Sequence, residues 1–214
     1  MQYTKGEEIA NSITHGIGAL FAIAGLIIMI IFSAFTGDVW KIVSVTIYGV
    51  TLVILYTFST LYHAITNKKA KKFLQIFDHS SVYLLIAGTY TPFSLVTLRN
   101  CSYKGWLIFG IVWAVALFGI FMQTVFPRRF KFLNVSSYVL VGWIIIFVMK
   151  DLIQMLSLSN SVNALWLLLA GGIAYTIGVI FYSLKKMKYF HFIWHLFVLI
   201  GSILHFIAIM FYII

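Results

Sequence analysis

Charged residues are so sparse in this 214-residue chain that they divide it into apolar stretches of membrane-crossing length. Asp, Glu, Lys and Arg leave charge-free intervals at 9–37, 42–67, 79–98, 105–127, 132–149, 152–184 and 189–214. A helix needs about 20 mostly apolar residues to cross the hydrocarbon core, so each interval holds one helix and none holds two with a loop. The alternating segments of about 10 residues that mark a membrane barrel are absent, which leaves an α-helical bundle. The sixth interval opens on the polar run Ser157-Leu-Ser-Asn-Ser-Val-Asn163, so its span is expected to start near Asn163. The expected spans lie near 15–35, 42–65, 79–98, 105–126, 132–150, 163–184 and 191–213, the fifth being the shortest. The fold class is all-α, a seven-transmembrane helix bundle. Loops of roughly 5 to 14 residues hold no inserted soluble domain, so residues 1–214 are expected to form a single integral membrane domain.

Composition narrows the function classes. Only 9% of residues are charged, 62% are hydrophobic, and the mean hydropathy is +1.03. So little charge cannot cover so much apolar surface in water, which excludes a conventional cytosolic enzyme, a disordered chain and a secreted disulfide scaffold. The single Cys101 closes no internal disulfide and builds no thiolate metal site. The net charge of +10 would suggest nucleic acid in a soluble protein; here it points to membrane lipids, anionic ones in particular. Glu7 and Glu8 stand where a signal peptide would carry its basic region, so no cleavable signal is expected.

Lys and Arg also set the orientation. Lys5, the lysines at 68, 69, 71 and 72, Arg128, Arg129, Lys131, Lys185, Lys186 and Lys188 share one side, eleven against the four of Lys41, Arg99, Lys104 and Lys150. The positive-inside rule then places the N-terminus in the cytoplasm and the C-terminus outside. Trp40, Trp106 and Trp166 fall near the outer ends of even-numbered spans, as interfacial anchors do.

That topology sorts the six histidines. His15 is expected to open the first span and His63 to close the second. Asp78 and His79 would open the third, and His191 and His195 the last, all on the cytoplasmic side. His205 lies about 21 Å further along the last helix at 1.5 Å per residue and is expected to be a hydrogen-bonded bundle residue. His191 and His195 are spaced i, i+4, so their rings share one face, as a metal-binding helix pair requires. Ser59 and His63 repeat that spacing. A lone interfacial histidine needs only water or headgroups, but five at one depth point to a metal or proton-handling site. A third imidazole from the second span would complete a three-histidine set with an open position, the arrangement of a catalytic zinc. Asp78 would then act on a water there, as hydrogen-bond acceptor or as general base.

These motifs resemble the bacterial hemolysin III family, a branch of the progestin and adipoQ receptor group placed with alkaline ceramidases in a wider hydrolase superfamily. Glu8-Ile-Ala-Asn11-Ser-Ile-Thr14-His15 is similar to the family's E-x-x-N-x-x-T-H, and Ser59-Thr-Leu-Tyr-His63 to its S-x-x-x-H. Phe77-Asp78-His79-Ser80, then Ala87-Gly88-Thr89-Tyr90-Thr91-Pro92, and the H-x-x-x-H of His191 and His195 follow in order. The resemblance implies Zn2+ held by His63, His191 and His195, with Asp78 and Ser59 as the catalytic groups beside it. It implies a structural or supporting role for Glu8, Asn11, Thr14 and His15, no metal role for His79, and a place in the bacterial plasma membrane. The chain lacks the long N-terminal region of the animal receptors, which argues against hormone sensing.

Three functions compete at this point. The leading one is a zinc-dependent membrane hydrolase of a lipid amide or related acyl bond, ceramide-like amides entering only through the resemblance. The second is a pore or cytolysin, although Gln123 and Thr124 near one end of the fourth span make no continuous polar stripe. The third is a sensor or regulator of membrane lipid state in which zinc is a structural clamp. Nothing in the chain sets an oligomeric state. Elsewhere packing suffices: Pro92 is expected to kink the third span with Thr89 and Thr91 satisfying freed backbone groups, and Gly18 with Ala22 to mark a close helix contact.

Overall fold

Helix ends, more than helix interiors, decide where the polar residues of this chain come to lie. The computed structural model describes residues 3–100, 103–126, 131–184 and 187–214, with the backbone alone for 131–134. Cys101, Arg128, Arg129, Lys185 and Lys186, and the side chain of Lys131, fall outside that description. The elements are α1 (Lys5–Phe35), α2 (Val39–Ala64), α3 (Lys68–Pro92), α4 (Lys104–Val125), α5 (Lys131–Gly142), α6 (Met149–Leu158), α7 (Asn163–Ser183) and α8 (Phe190–Tyr212). No strand occurs among the described residues. Seven helical stretches are long and apolar enough to cross a membrane, with α5, α6 and the turn between them making up the fifth. Their surfaces carry Leu20, Phe21, Phe118 and Phe147 more than half exposed, side chains that only lipid solvates well.

Spans two, four, six and seven begin and end within three residues of the sequence expectation. The other three differ, each for an identifiable reason. Helix α1 begins at Lys5 instead of near 15, because Thr4 caps it: the Glu7 N–H donates to the Thr4 hydroxyl, and the Glu7 carboxylate accepts from the Thr4 N–H at 2.8 Å. Helix α3 begins at Lys68 instead of 79, capped by Asn67, whose Oδ1 accepts from the N–H groups of Lys69 and Ala70. His15, Asp78 and His79 therefore lie three turns inside their helices and do not open them.

The fifth span runs beyond residue 150 to Leu158, through Lys150 and Asp151. A carboxylate is tolerated there because Lys104, on α4, donates to it at 2.7 Å. Between α5 and α6 the chain tightens to 3-10 winding over Ile144–Val148. The Tyr90 hydroxyl bridges this break, accepting from the Ile145 N–H at 2.9 Å and donating to the Gly142 carbonyl at 2.8 Å. Two backbone groups that hydrocarbon could not satisfy are thereby paired.

Around Pro92, Thr89 and Thr91 donate to the carbonyls of Leu85 and Ala87, each at 2.8 Å. The helix then continues as a wider π-type winding over Phe93–Leu98. Pro92 has no N–H to give a carbonyl four residues back, and the looser winding accommodates that loss without ending the span.

Packing runs α1 on α2, α2 on α3, α3 on α4 and α7 on α8, and α8 returns to α1. Ser202 ties three helices together: its hydroxyl is 2.8 Å from those of Tyr56 on α2 and Tyr175 on α7. Gly18 sits where α1, α2 and α8 meet. A Cβ there would lie 2.8 Å from the Tyr56 ring and 2.9 Å from Leu199, so the small residue is a condition of the contact. Gly18→Val is expected to destabilise the fold by about 1–3 kcal/mol through overpacking. A thermal unfolding midpoint equal to that of the parent chain would contradict this contact.

Candidate metal centre

The last turn of α2 and the first two turns of α8 converge at the end of the bundle that carries Lys68 to Lys72. His63 comes from α2, and His191 and His195 from α8 one turn apart. The Nε2 atom of His191 lies 3.3 Å from that of His63 and 3.2 Å from that of His195. Three imidazole nitrogens bound tetrahedrally at about 2.0–2.1 Å would stand about 3.3–3.4 Å apart, so this spacing suits one small cation. His63 and His195 are each 2% exposed, whereas His191 is half-buried. The three could hold a metal ion.

The surrounding hydrogen bonds decide which nitrogen of each ring is free. Glu8 places a carboxylate oxygen 2.7 Å from the His63 Nδ1 atom, and its other oxygen accepts from Lys71 at 2.9 Å. The Asn11 carbonyl lies 3.3 Å from the His195 Nδ1 atom. Carboxylate and carbonyl oxygens only accept; at His63 the Glu8 contact at 2.7 Å is far shorter than the 3.4 Å approach of the Asn11 side-chain amide to the same nitrogen, so the protons of both rings are assigned to Nδ1 and their Nε2 lone pairs to the centre. The His191 Nε2 atom lies against both lone pairs and, if protonated, donates to only one of them, whereas a cation satisfies all three.

The remaining residues singled out by sequence fall around this core. Ser59, one turn before His63, is buried, and its hydroxyl has no hydrogen-bond partner. Together with Asp78, His15, His191 and His195 it lines a small cavity beside the three nitrogens. One Asp78 oxygen lies 3.9 Å from the His79 Nε2 atom. His15 stacks face to face on His195, ring centroids 3.6 Å apart, and neither of its nitrogens has a hydrogen-bond partner. Thr14 turns inward on its own helix, donating to the Ala10 carbonyl at 2.7 Å. His79 faces α4 and α5: its Nδ1 is 3.3 Å from the Gln123 amide, and its carbonyl accepts from the Tyr138 hydroxyl. His205 donates to the Leu168 carbonyl at 3.0 Å, as a bundle residue should.

Two features escaped the sequence reading. Tyr3 stacks on His191 with ring centroids 4.8 Å apart and leans on His63 at 5.8 Å. Burial pushes its phenol far above the usual range, so it stays neutral. A lone aromatic ahead of the first span carries no periodicity, but the Thr4–Glu7 capping pair beside it was there to be read. The second feature is an apolar cavity among α3, α5, α7 and α8, reaching Trp143 and His205. It shares the walls Leu55, Val82, Tyr138, Val179, Trp194 and Val198 with the small polar cavity, so the two adjoin.

Comparison with known proteins adds the following. A family model described as "Haemolysin-III related" matches residues 3–206. "Hemolysin-3" of Bacillus cereus is 47% identical over 212 residues, covering 99% of this chain and 94% of that one. "Hemolysin-3 homolog" of Bacillus subtilis (strain 168) is 48% identical over 210 residues, covering 98% and 96%. More distantly, human "Monocyte to macrophage differentiation factor" is 27% identical over 213 residues, covering 95% and 83%.

Proposed function

The chain belongs to the haemolysin-III-related family and is a multi-pass protein of the bacterial cell membrane; from that premise we propose that it is a zinc-dependent hydrolase of a lipid amide or related acyl bond. The observation that carries this reading is a set of three imidazoles, two of which line a cavity with Ser59 and Asp78, beside an apolar cavity that shares walls with it. A clamp needs the first feature alone. A lipid hydrolase needs all of them.

His63, His191 and His195 would hold the ion by their Nε2 atoms. Zinc at such a site polarises a carbonyl and acidifies water. Asp78, on the wall of the polar cavity, takes the proton of the attacking water on a carboxylate oxygen and returns it to the leaving amine or alcohol. The Ser59 hydroxyl, without a hydrogen-bond partner among the described residues, donates to the oxygen of the scissile linkage. The acyl chain occupies the apolar cavity, whose walls exclude water from it. With the lysine-rich end facing the cytoplasm, the scissile bond lies at the inner-leaflet boundary, where a lipid has a wet linkage and a dry tail.

The names of the Bacillus relatives raise lysis as a second function. The large cavity is almost wholly apolar and offers ions no continuous polar lining. Zinc-loaded protein in lipid vesicles tests both readings: fatty acid release from N-acyl lipids, without leakage of a trapped dye, is the expected result. Stoichiometric zinc with no acyl release from any amide or ester would sink the hydrolase and leave the clamp. Leakage without bond cleavage would favour the pore.

A further inference from the structure

The polar cavity of Ser59 and Asp78 touches His191 and His195. Outside that cavity's lining, the centre is covered by a ring that belongs to no helix. Tyr3 lies over two of the three donor imidazoles, nearly parallel to His191 at 24° and tilted to His63 at 53°.

One carboxylate links the residue after Tyr3 to the chain just ahead of His191. Glu7 is 7% exposed. One of its oxygens accepts from the N–H and the hydroxyl of Thr4, the residue after Tyr3, at 2.8 Å each. The other accepts from the N–H of Tyr189, two residues before His191, also at 2.8 Å. Tyr189 has the left-handed backbone, φ +63°, at the start of α8. Gly6 leaves room for its side chain, since a Cβ there would lie 2.9 Å from the Tyr189 hydroxyl. The bases of the stacked pair, Tyr3 and His191, are thus fastened to each other through Glu7, and next to it Glu8 fastens His63.

We infer that Tyr3 is a cover on the metal centre, closing it toward the aqueous phase at the lysine-rich end so that metal, water and substrate reach it through the Ser59–Asp78 side. The inference rests on the metal-centre part of the proposed function and is independent of hydrolysis. It selects substrates by route: a lipid linkage enters from the cavity, whereas a polar solute at the end of the bundle meets the Tyr3 ring. The ring, not the phenol, does the covering.

The test is the exchange of zinc between the full-length chain in detergent and a water-soluble chelator. A cover speeds release and loading together and leaves the affinity in place. Tyr3→Ala is therefore expected to release zinc faster than the parent chain. It should reload correspondingly faster, with an unchanged dissociation constant. Tyr3→Phe should behave as the parent chain. Glu7→Gln, which keeps the ring but weakens its fastening, should fall between them. Equal release from Tyr3→Ala and parent overturns the cover. So does Tyr3→Phe releasing as fast as Tyr3→Ala, and so does a dissociation constant that weakens in step with release, since Tyr3 would then support a ligand. A parent chain with no stoichiometric zinc overturns the metal centre itself, and the first zinc determination separates that failure from the others.

Discussion

Exchanging His191 and His195 together for alanine is expected to strip the chain of metal: zinc in protein purified without chelators should fall from about one equivalent to background. Two of the three convergent Nε2 atoms vanish, and His63 alone, still bonded to Glu8, cannot retain an ion against water. The bundle survives. Alanine is the best helix former, and α8 remains joined to α2 and α7 through Ser202 with Tyr56 and Tyr175. Metal content by mass spectrometry, beside helical content by circular dichroism, gives the answer. A folded double variant that still binds zinc as the parent does would show that the donors lie elsewhere.

Asp78→Asn gives the converse phenotype. The amide keeps the size and most of the hydrogen-bonding reach of the carboxylate but cannot take a proton from water. Metal content should be unchanged, because the three donors are histidines, while release of fatty acid from an N-acyl lipid should fall by about 10²–10⁴-fold, the usual worth of a positioned general base. Loss of zinc from Asp78→Asn would make Asp78 a ligand. Unchanged turnover would move the proton transfer to another group, the buried His15 being the neighbour on the same cavity wall.

The crossing number was legible because hydrocarbon tolerates so few charges that their positions mark the loops. The same device fails wherever a charge is paired. Lys150 and Asp151 read as the end of the fifth span, and only Lys104, 47 residues from Asp151, makes it possible for the helix to continue past them. The starts of α1 and α3 were misplaced for a related reason. Charge spacing is blind to Thr4, Glu7 and Asn67, which act by hydrogen-bonding free N–H groups and need no apolar surroundings. In the site, the i, i+4 spacing of His191 and His195 was visible because a helix puts such rings on one face. The motif with Glu8 and Asn11 indicated support without saying of what kind. That Glu8 acts through a side chain on His63, and Asn11 through its backbone carbonyl on His195, depends on how α1 lies against α2 and α8. Tyr90 belongs with these. Nothing near it in sequence tells that its hydroxyl completes a broken helix 52 to 55 residues later.

The parts of the centre come from distant stretches of the chain: the Glu8 carboxylate that orients His63 from its start, His63 from the second span, His191 and His195 from the last. Translation delivers these pieces in order, and domains assemble as their parts emerge. When the sixth span leaves the ribosome the nascent chain owns one imidazole of the three and the carboxylate that will orient it. An ion held by all three imidazoles would therefore join last, and its arrival would close a loop of more than a hundred residues, the kind of constraint that raises stability by depriving the unfolded chain of freedom. Occupancy would in this sense be a record of biogenesis. A chain that stalls before α8 would lack His191 and His195, and one that inserts α8 upside down would carry them to the wrong leaflet, so neither would assemble the three-histidine set.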